Sequence, residues 1–460
     1  MYFWSPPPPP PPPASMLDIV MLGFNSMLSP VSSCVSEVGE ERIIYCVVLG
    51  TLLLDYVLTL TSSLLNYNAL GAAMPLEFSG VYDATAYASS QAYTRAKTRF
   101  SLVHTTFDLA VMLAFWHLDG FDLLDGVARS TADGEIARGV VYLGVMVLVS
   151  TLIDLPWSVY STFVIEERFG FNKTTARTFV LDRIKGLLLT AAIGLPIAAA
   201  MFAFFLHAGP RAWLYCWGFL ATTQIFLVFV APVWIMPLFN EFKPLENQAI
   251  TSAIQAYAEG VGFRYGGIYE IDGSRRSSHS NAFFTGFGAT KRIALFDTLV
   301  EKTSVTELLA ILAHEVGHEK LGHIRWSIVF QLAYTFALLY IMSLFLSYPP
   351  LFAAFGVASP SVYVGLILFQ LLFSPVDTLL QVVLTMRSRA NEFAADRYSV
   401  ETYRQPEALV SGLKHLSKDN LDNLTPHPLH VFLSYSHPPV LARIAAIRAH
   451  GAARGLQPPN

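Results

Sequence analysis

Residues Ile311 to His323 read Ile-Leu-Ala-His-Glu-Val-Gly-His-Glu-Lys-Leu-Gly-His. Within them His314, Glu315 and His318 form an HExxH pattern. Histidines four apart project from one face of a helix, a turn apart. Two imidazoles so placed can grip one Zn²⁺, with Glu315 beside the open coordination position as general base. That spacing is what zinc-dependent peptide hydrolysis needs. So short a pattern also arises by chance on a solvated helix face, but its surroundings favour the metal. Ser304 and Glu307 read as a capping box, and Leu308, Leu309, Ile311 and Leu312 give the helix an apolar face.

The third ligand sets the subclass. In the longer pattern HExxHxxGxxH it comes from the same stretch, but Leu321 and Ile324 occupy the required positions here. His323 falls about 180° around a continuous helix from His314, which reads as a surface or supporting histidine. Glu392 and Asp396, four apart in the segment Ser388 to Asp396, offer a better answer. Glu392 can complete a His₂Glu site, and Asp396 can hold a ligating imidazole through its second nitrogen. An ExxxD pair alone is common on solvated helices. Following an apolar span in a chain with HExxH, it is the favoured candidate.

Working outward, the chain reads as a polytopic membrane protein. Hydrophobic residues make up 53% of its 460 positions and charged residues 14%, with a mean hydropathy of +0.46. Such values lie outside the soluble globular range. Apolar runs at 43–64, 101–117, 139–160, 186–207, 213–235, 326–348 and 361–385 give seven candidate spans. The second is short and contains Asp108. Asp55, Asp108 and Asp154 fall within or at the ends of spans; since intramembrane carboxylates are costly, they imply a hydrated interior cavity. A proton or ion path is the other reading.

Loop charges orient the spans. Arg95, Lys97 and Arg99 precede the second span, and Arg168, Lys173, Arg177, Arg183 and Lys185 precede the fourth. Asp119, Asp122, Asp125 and Asp133 follow the second. The positive-inside rule then puts 236–325, with HExxH, and the tail from 386 on one cytosolic side. The expected division is a Pro-rich extension at 1–40, spans one to five at 41–235, and a cytosolic loop unit at 236–325. Spans six and seven at 326–385 and a C-terminal cytosolic unit at 386–460 complete it. Pro6 to Pro13 read as polyproline II or disordered chain. No secretory signal is evident near 16–28, and a net charge of −4 argues against a nucleic-acid partner.

The chain also resembles the type I CaaX prenyl proteases from about 40 to 447. The resemblance rests on Val164 to Thr175 (VIEERFGFNKTT), Pro237 to Leu245 (PLFNEFKPL) and Ser277 to Thr298 (SSHSNAFFTGFGATKRIALFDT). The HEVGH helix, the Glu392/Asp396 segment and Leu416 to Arg443 (LSKDNLDNLTPHPLHVFLSYSHPPVLAR) carry it further. It implies a mainly α fold of seven transmembrane helices enclosing a large water-filled chamber, with a cytosolic zinc-peptidase cap containing a small β-hairpin. It implies one Zn²⁺ on His314, His318 and Glu392, and a peptide or protein substrate bearing a prenylated C-terminal CaaX sequence, met at the lipid bilayer.

In the resembling enzymes, Asn281, Ala282 and Phe283 lie where an extended substrate pairs along an edge strand, in a hairpin around Gly286 and Gly288. His437 and Arg443 match positions beside the substrate carbonyl and the cleaved end. Read without the resemblance, the hairpin and both side chains are ordinary surface features. Residues 77–130 look more like bacterial members than animal ones, which raises general membrane-protein turnover as an alternative to prenyl processing. The membrane would be the endoplasmic reticulum in a eukaryote and the cytoplasmic membrane in a bacterium. A smaller heat-shock-type membrane zinc protease shares the motifs but has fewer spans. A non-catalytic transporter or scaffold with a degenerate motif is the reading from another class; the intact Glu315, His314, His318 and Glu392 set opposes it.

Overall fold

The computed structural model describes residues 39–285 and 291–456. Pro6 to Pro13, and the glycines Gly286 and Gly288 of the expected hairpin turn, lie outside the described residues.

Among the described residues, six helices are long and apolar enough to cross a membrane. They are α1 (Glu40–Ala69), α4 (Glu135–Glu166), α5 (Ala176–His207), α6 (Gly209–Leu238), α10 (His323–Phe345) and α12 (Val362–Tyr403). The remaining expected span, the second at 101–117, falls in α2 (Ala84–His117), which at 34 residues is long enough but is not among those six. The reason is its charge. It carries Arg95, Lys97 and Arg99 at one end, and His104 and Asp108 farther along. His104 lies 3.4 Å from Asp108 and 3.5 Å from Asp154 of α4, so these polar groups meet one another between helices. Asp55 and Asp377 likewise line one cavity of about 330 Å³.

The loop ends of this bundle differ as their charges suggest. The short helix α3 (Gly120–Thr131) meets the segment after α10: Asp122 accepts from the Ala358 amide at 2.9 Å, and Arg129 donates to the Ser359 carbonyl at 3.2 Å. The basic segment after α4 instead docks on the unit between α6 and α10. Lys173 N donates to Arg276 O at 3.0 Å, and the Arg276 guanidinium pairs with Asp182 at 2.8 Å.

The unit between α6 and α10 holds β1 (Phe242–Pro244), α7 (Gln248–Gly260), β2 (Gly267–Ile271), β3 (Ala282–Thr285), β4 (Arg292–Phe296), α8 (Asp297–Lys302) and α9 (Val305–Lys320). The expected hairpin is β3–β4, antiparallel with Phe283 opposite Ala294. It belongs to a larger sheet than the sequence suggested, in the order β1-β2-β4-β3, with β2 and β4 parallel. Its apolar residues, Ile293 and Leu295, pack with Ile254 of α7 and Leu308, Leu312 and Val316 of α9. Burying that much aliphatic surface holds α9 rigidly against the sheet.

After the short helix α11 (Pro349–Ala353), α12 runs 42 residues without a break at the 385/386 boundary. At 1.5 Å per residue it is about 60 Å long, twice the roughly 30 Å hydrocarbon core of a bilayer. Its far end therefore enters the unit between α6 and α10. The tail adds α13 (Pro406–Asp419), α14 (Pro428–Ser434) and α15 (Val440–Ala453), packed through Leu409, Leu413, Ile444 and Ile447 against Ala310 of α9 and Val400 of α12.

Candidate active site

The HExxH helix starts where the sequence places it. Ser304 Oγ accepts from the Glu307 amide at 3.3 Å, and Glu307 Oε2 accepts from the Ser304 amide at 3.1 Å, closing the capping box. Glu307 is also buried at the seam with α13, where His415 Nδ1 lies 2.8 Å from its Oε1. With its start fixed, α9 presents His314 and His318 to α12. The approach is close because position 317 is glycine: a Cβ there would lie 3.0 Å from Tyr398 Cβ and 3.2 Å from Ala395 Cα.

That contact brings Glu392 between the two histidines. His314 Nε2 and His318 Nε2 are 3.1 Å apart; Glu392 Oε2 lies 3.4 Å from the first and Oε1 3.3 Å from the second. Metal bonds of 2.0–2.1 Å in a tetrahedron put neighbouring ligand atoms about 3.3–3.4 Å apart. The two imidazole nitrogens are close to that spacing, the carboxylate reaches each of them with a different oxygen, and one ligand atom from each of the three residues lies within 4.8 Å of the others. Glu392 Oε2 is buried without a hydrogen bond, a costly condition that a metal would relieve. Three carboxylates (Glu315, Glu392, Asp396) and one guanidinium (Arg443) leave the site two negative charges in excess when the imidazoles are neutral. The donor set, spacing and charge all fit a metal ion.

The ligands are held from behind. Asp396 Oδ1 lies 2.8 Å from His314 Nδ1, which fixes the tautomer that leaves Nε2 free as a ligand. Arg443 is 9% exposed; its Nε donates to Asp396 Oδ2 at 2.9 Å and its Nη2 to Oδ1 at 2.7 Å. Its Nη1 stands 3.3 Å from Glu392 Oε2. Its fork thus braces the ligand frame, and the side chain also lines the cavity beside it.

His323 sits closer than the helical-wheel argument allowed. Gly322 adopts φ 74°, in the left-handed region that favours glycine. It ends one helix before α10 begins, so His323 Nδ1 lies 3.0 Å from His318 Nδ1. The glycine was the signal that the 180° estimate passed over. Arg389, three residues before Glu392 on the same helix, was also missed. It donates to Val431 O at 3.0 Å and Tyr435 O at 2.6 Å, tying the loop that carries His437 to the ligand helix.

The metal-ligand face opens into a cavity of about 760 Å³ that Glu315, His437, Asn281 and Ala282 help to line. Glu315 has no hydrogen bond or ion pair among the described residues, and burial pushes its carboxyl pKa up. His437 Nε2 lies 3.4 Å from Glu392 Oε1, with a side chain 64% exposed toward the opening. Ser436 Oγ stands 3.0 Å from His437 Nδ1. β3 forms the rim and is the free edge of the sheet. Phe296 N donates to Asn281 O at 3.1 Å, so by alternation Phe283 also turns its main chain toward β4. Ala282 and Phe284 then face the open edge. Consistent with that, the Ala282 amide has no ladder partner and donates to Asn281 Oδ1 at 2.9 Å.

Comparison with known proteins agrees along both halves of the chain. Residues 63–241 match the family described as CAAX prenyl protease N-terminal, five membrane helices, and residues 244–450 match peptidase family M48. The CAAX prenyl protease 1 homolog of Oryza sativa is 35% identical over 81% of this chain and 90% of its own length. CAAX prenyl protease 1 of Saccharomyces cerevisiae is 36% identical over 79% and 86%. The Homo sapiens homolog is 33% identical over 82% and 88%. The crystal structure of S. mikatae Ste24p superposes with a TM-score of 0.84 at 32% identity, covering 89% of this chain and 99% of that one. With membrane half and catalytic half matched in order, the chain belongs to the CAAX prenyl protease 1 branch of peptidase family M48 and is a membrane-embedded metalloendopeptidase.

Proposed function

We propose that this enzyme uses one zinc ion, held by His314, His318 and Glu392, to remove the C-terminal tripeptide from prenylated CaaX proteins on the cytosolic side of its membrane. The observation that carries the reading is the convergence of those three ligand groups within 4.8 Å of one another on the wall of an open cavity. A nitrogen-rich His₂Glu set with a fourth position facing solvent is a catalytic zinc arrangement. When bound, zinc supplies Lewis acidity to water and to the scissile carbonyl.

The chain's own residues supply the rest. Glu315, with both oxygens free, takes the proton of the attacking water and passes it to the leaving amine. Burial pushes its carboxyl pKa up, the direction that helps it hold the proton between the two transfers. His437, beside the third ligand and facing the cavity, donates to the oxygen on which charge develops. Arg443 acts through Asp396 and Glu392 by fixing the ligand frame. The substrate lies along β3 as an added strand, pairing with the main chain of Ala282 and Phe284, with Asn281 swinging aside to release the Ala282 amide. Backbone pairing accepts many sequences, so recognition of the lipid lies elsewhere.

Docking of the basic segment 167–185 on the catalytic unit supports the cytosolic assignment, because both must then share the positively charged side. The family description of five membrane helices supports counting α2 with α1, α4, α5 and α6, which gives seven in all. The cavity lined by Asp55 and Asp377 and, separately, the His104–Asp154 pair support a hydrated interior.

The test is cleavage by purified protein of matched prenylated and unprenylated CaaX peptides, with Glu315→Gln as the blank. Strong preference for the lipidated peptide, abolished in the variant, is the expected result. Equal cleavage of both would replace prenyl processing with general membrane-protein turnover. Cleavage that survives Glu315→Gln would overturn the mechanism.

A further inference from the structure

On the far side of α2 from the catalytic cavity lies a second cavity of about 920 Å³, between α2 and the end of α4. The two faces of α2 separate by helical spacing. Gln91, Arg95 and Arg99, four apart, line this cavity. Tyr93, Thr94, Lys97 and Thr98, about 180° around the helix, line a different cavity that reaches the catalytic one through Ser280 and Asn281. Anything in the outer cavity is therefore walled off from the metal ligands by the helix itself.

Its lining is divided by polarity. At one end stand three guanidinium groups. Arg95 Nη2 donates to Leu70 O at 3.2 Å, Arg99 lies 5.3 Å from the Tyr67 ring, and Arg168 lies 5.5 Å from the Phe169 ring. Among the described residues, none of the three has a carboxylate within salt-bridge range. Gln91 adds a fourth donor. It is 7% exposed, and the Gly71 amide donates to its Oε1 at 2.9 Å, which fixes the amide orientation. Gln91 lines the cavity, and its Nε2 is buried with no hydrogen-bond partner among the described residues. A buried unpaired donor is costly, and beside three uncompensated cations it calls for an anionic acceptor. The other end is Phe100, Trp157, Tyr160 and Val164. Along α4 the order is apolar span, then Trp157 and Tyr160, then Arg168, which is the order found at a bilayer–water boundary.

We propose that this cavity holds one anionic glycerophospholipid, its phosphate on Gln91, Arg95, Arg99 and Arg168 and an acyl chain over Phe100, Trp157 and Tyr160. Charge and shape agree with that occupant: an unmatched basic pocket between membrane helices takes an anionic headgroup, and the apolar floor takes its chain. A prenylated peptide shares the amphiphilic character but would lie on the wrong face of α2 to reach Glu315.

Trp157 is a built-in reporter. The full-length protein in detergent is titrated with phosphatidylglycerol or phosphatidylcholine brominated on the acyl chains, and the Trp157 signal is the difference between wild type and Trp157→Phe. The anionic lipid should quench at a lipid fraction lower by on the order of tenfold or more. The preference should vanish in Arg95→Gln/Arg99→Gln/Arg168→Gln and weaken in Arg168→Gln alone, a gentler change in the last helical turn beyond Glu166. Equal quenching by both lipids, or a preference that survives the triple substitution, would overturn the proposal. Relief of the quenching by millimolar inorganic phosphate would show a phosphate site with no lipid selectivity. Relief by a prenylated CaaX peptide would show a substrate subsite. Either displacement overturns the assignment.

Discussion

Replacing Gly317 by alanine adds one methyl group at the point where α9 and α12 touch, and the structure sets what must follow. The new Cβ would stand 3.0 Å from Tyr398 Cβ, 3.2 Å from Ala395 Cα and 3.2 Å from Ala395 O. Carbon atoms rest about 3.5–4.0 Å apart, and two of the three obstacles are backbone, which has no rotamer to yield. The helices must part by about 0.5 Å, whereas a metal site tolerates about 0.2 Å in its ligand distances. Glu392 rides on the helix that moves, His314 and His318 on the helix that stays. Zinc affinity should therefore fall about 10- to 100-fold, the loss seen when an outer support is removed, and stability by about 1–3 kcal/mol as for other overpacked cores. Affinity is read by competition with a chromophoric chelator. Gly260→Ala in the same unit, where a Cβ meets nothing within 4 Å, is the control and should leave affinity unchanged. Wild-type zinc affinity in Gly317→Ala would refute the argument that this contact sets the ligand geometry.

Removing either partner of the buried Asp396–Arg443 pair should cost about 3–5 kcal/mol, because each leaves an uncompensated charge. The double Asp396→Ala/Arg443→Ala variant should cost much less than the sum, and denaturant titrations that add linearly would show that the pair is not coupled. His323→Phe should weaken zinc binding about tenfold by freeing the His318 ring, with an unchanged chelator competition as the contrary result. Glu307 gives the pH dependence. Burial alone would raise its pKa, but hydrogen bonds from Ser411 and Ser304 and the nearby His415 hold it below the ordinary carboxylate value. A lowered folded pKa means stability that is complete above the unfolded value and is lost as pH falls through the folded one. Wild type should thus lose melting temperature relative to Glu307→Gln between pH 6 and pH 3; parallel curves would dismiss the linkage.

What could be read from the chain follows from how local each signal is. The capping box at Ser304 and Glu307 and the four-residue spacing of His314 and His318 are properties of one helix, so short-range rules reach them. The apolar spans are legible for the same reason, and α2 was the doubtful one because its apolar run is short and contains Asp108, a residue that His104 meets within the helix while also reaching Asp154 of α4. The sheet was legible in half: hairpin strands are close in sequence, whereas β2 pairs in parallel with β4 across an intervening strand, a partnership no local pattern records. His323 takes the supporting place expected of it, but the 180° angle does not hold, because Gly322 ends the helix and brings its ring onto His318.

The deepest gap concerns the ligand set itself. Two of its residues come from α9, fixed on a sheet outside the bilayer, and the third from α12, a helix rooted in the membrane bundle and twice as long as the bilayer core requires. Neither helix holds a site alone. Gly317 permits their contact, Asp396 and Arg443 lock the two sides together, and Arg389 carries the same helix's position on to the loop of His437. Metal geometry therefore reports how the catalytic unit sits on the membrane bundle. A shift of α12 along its axis would move Glu392 away from both histidines at once, so perturbing the bundle far from the metal should appear first as weakened zinc binding and only then as lost fold.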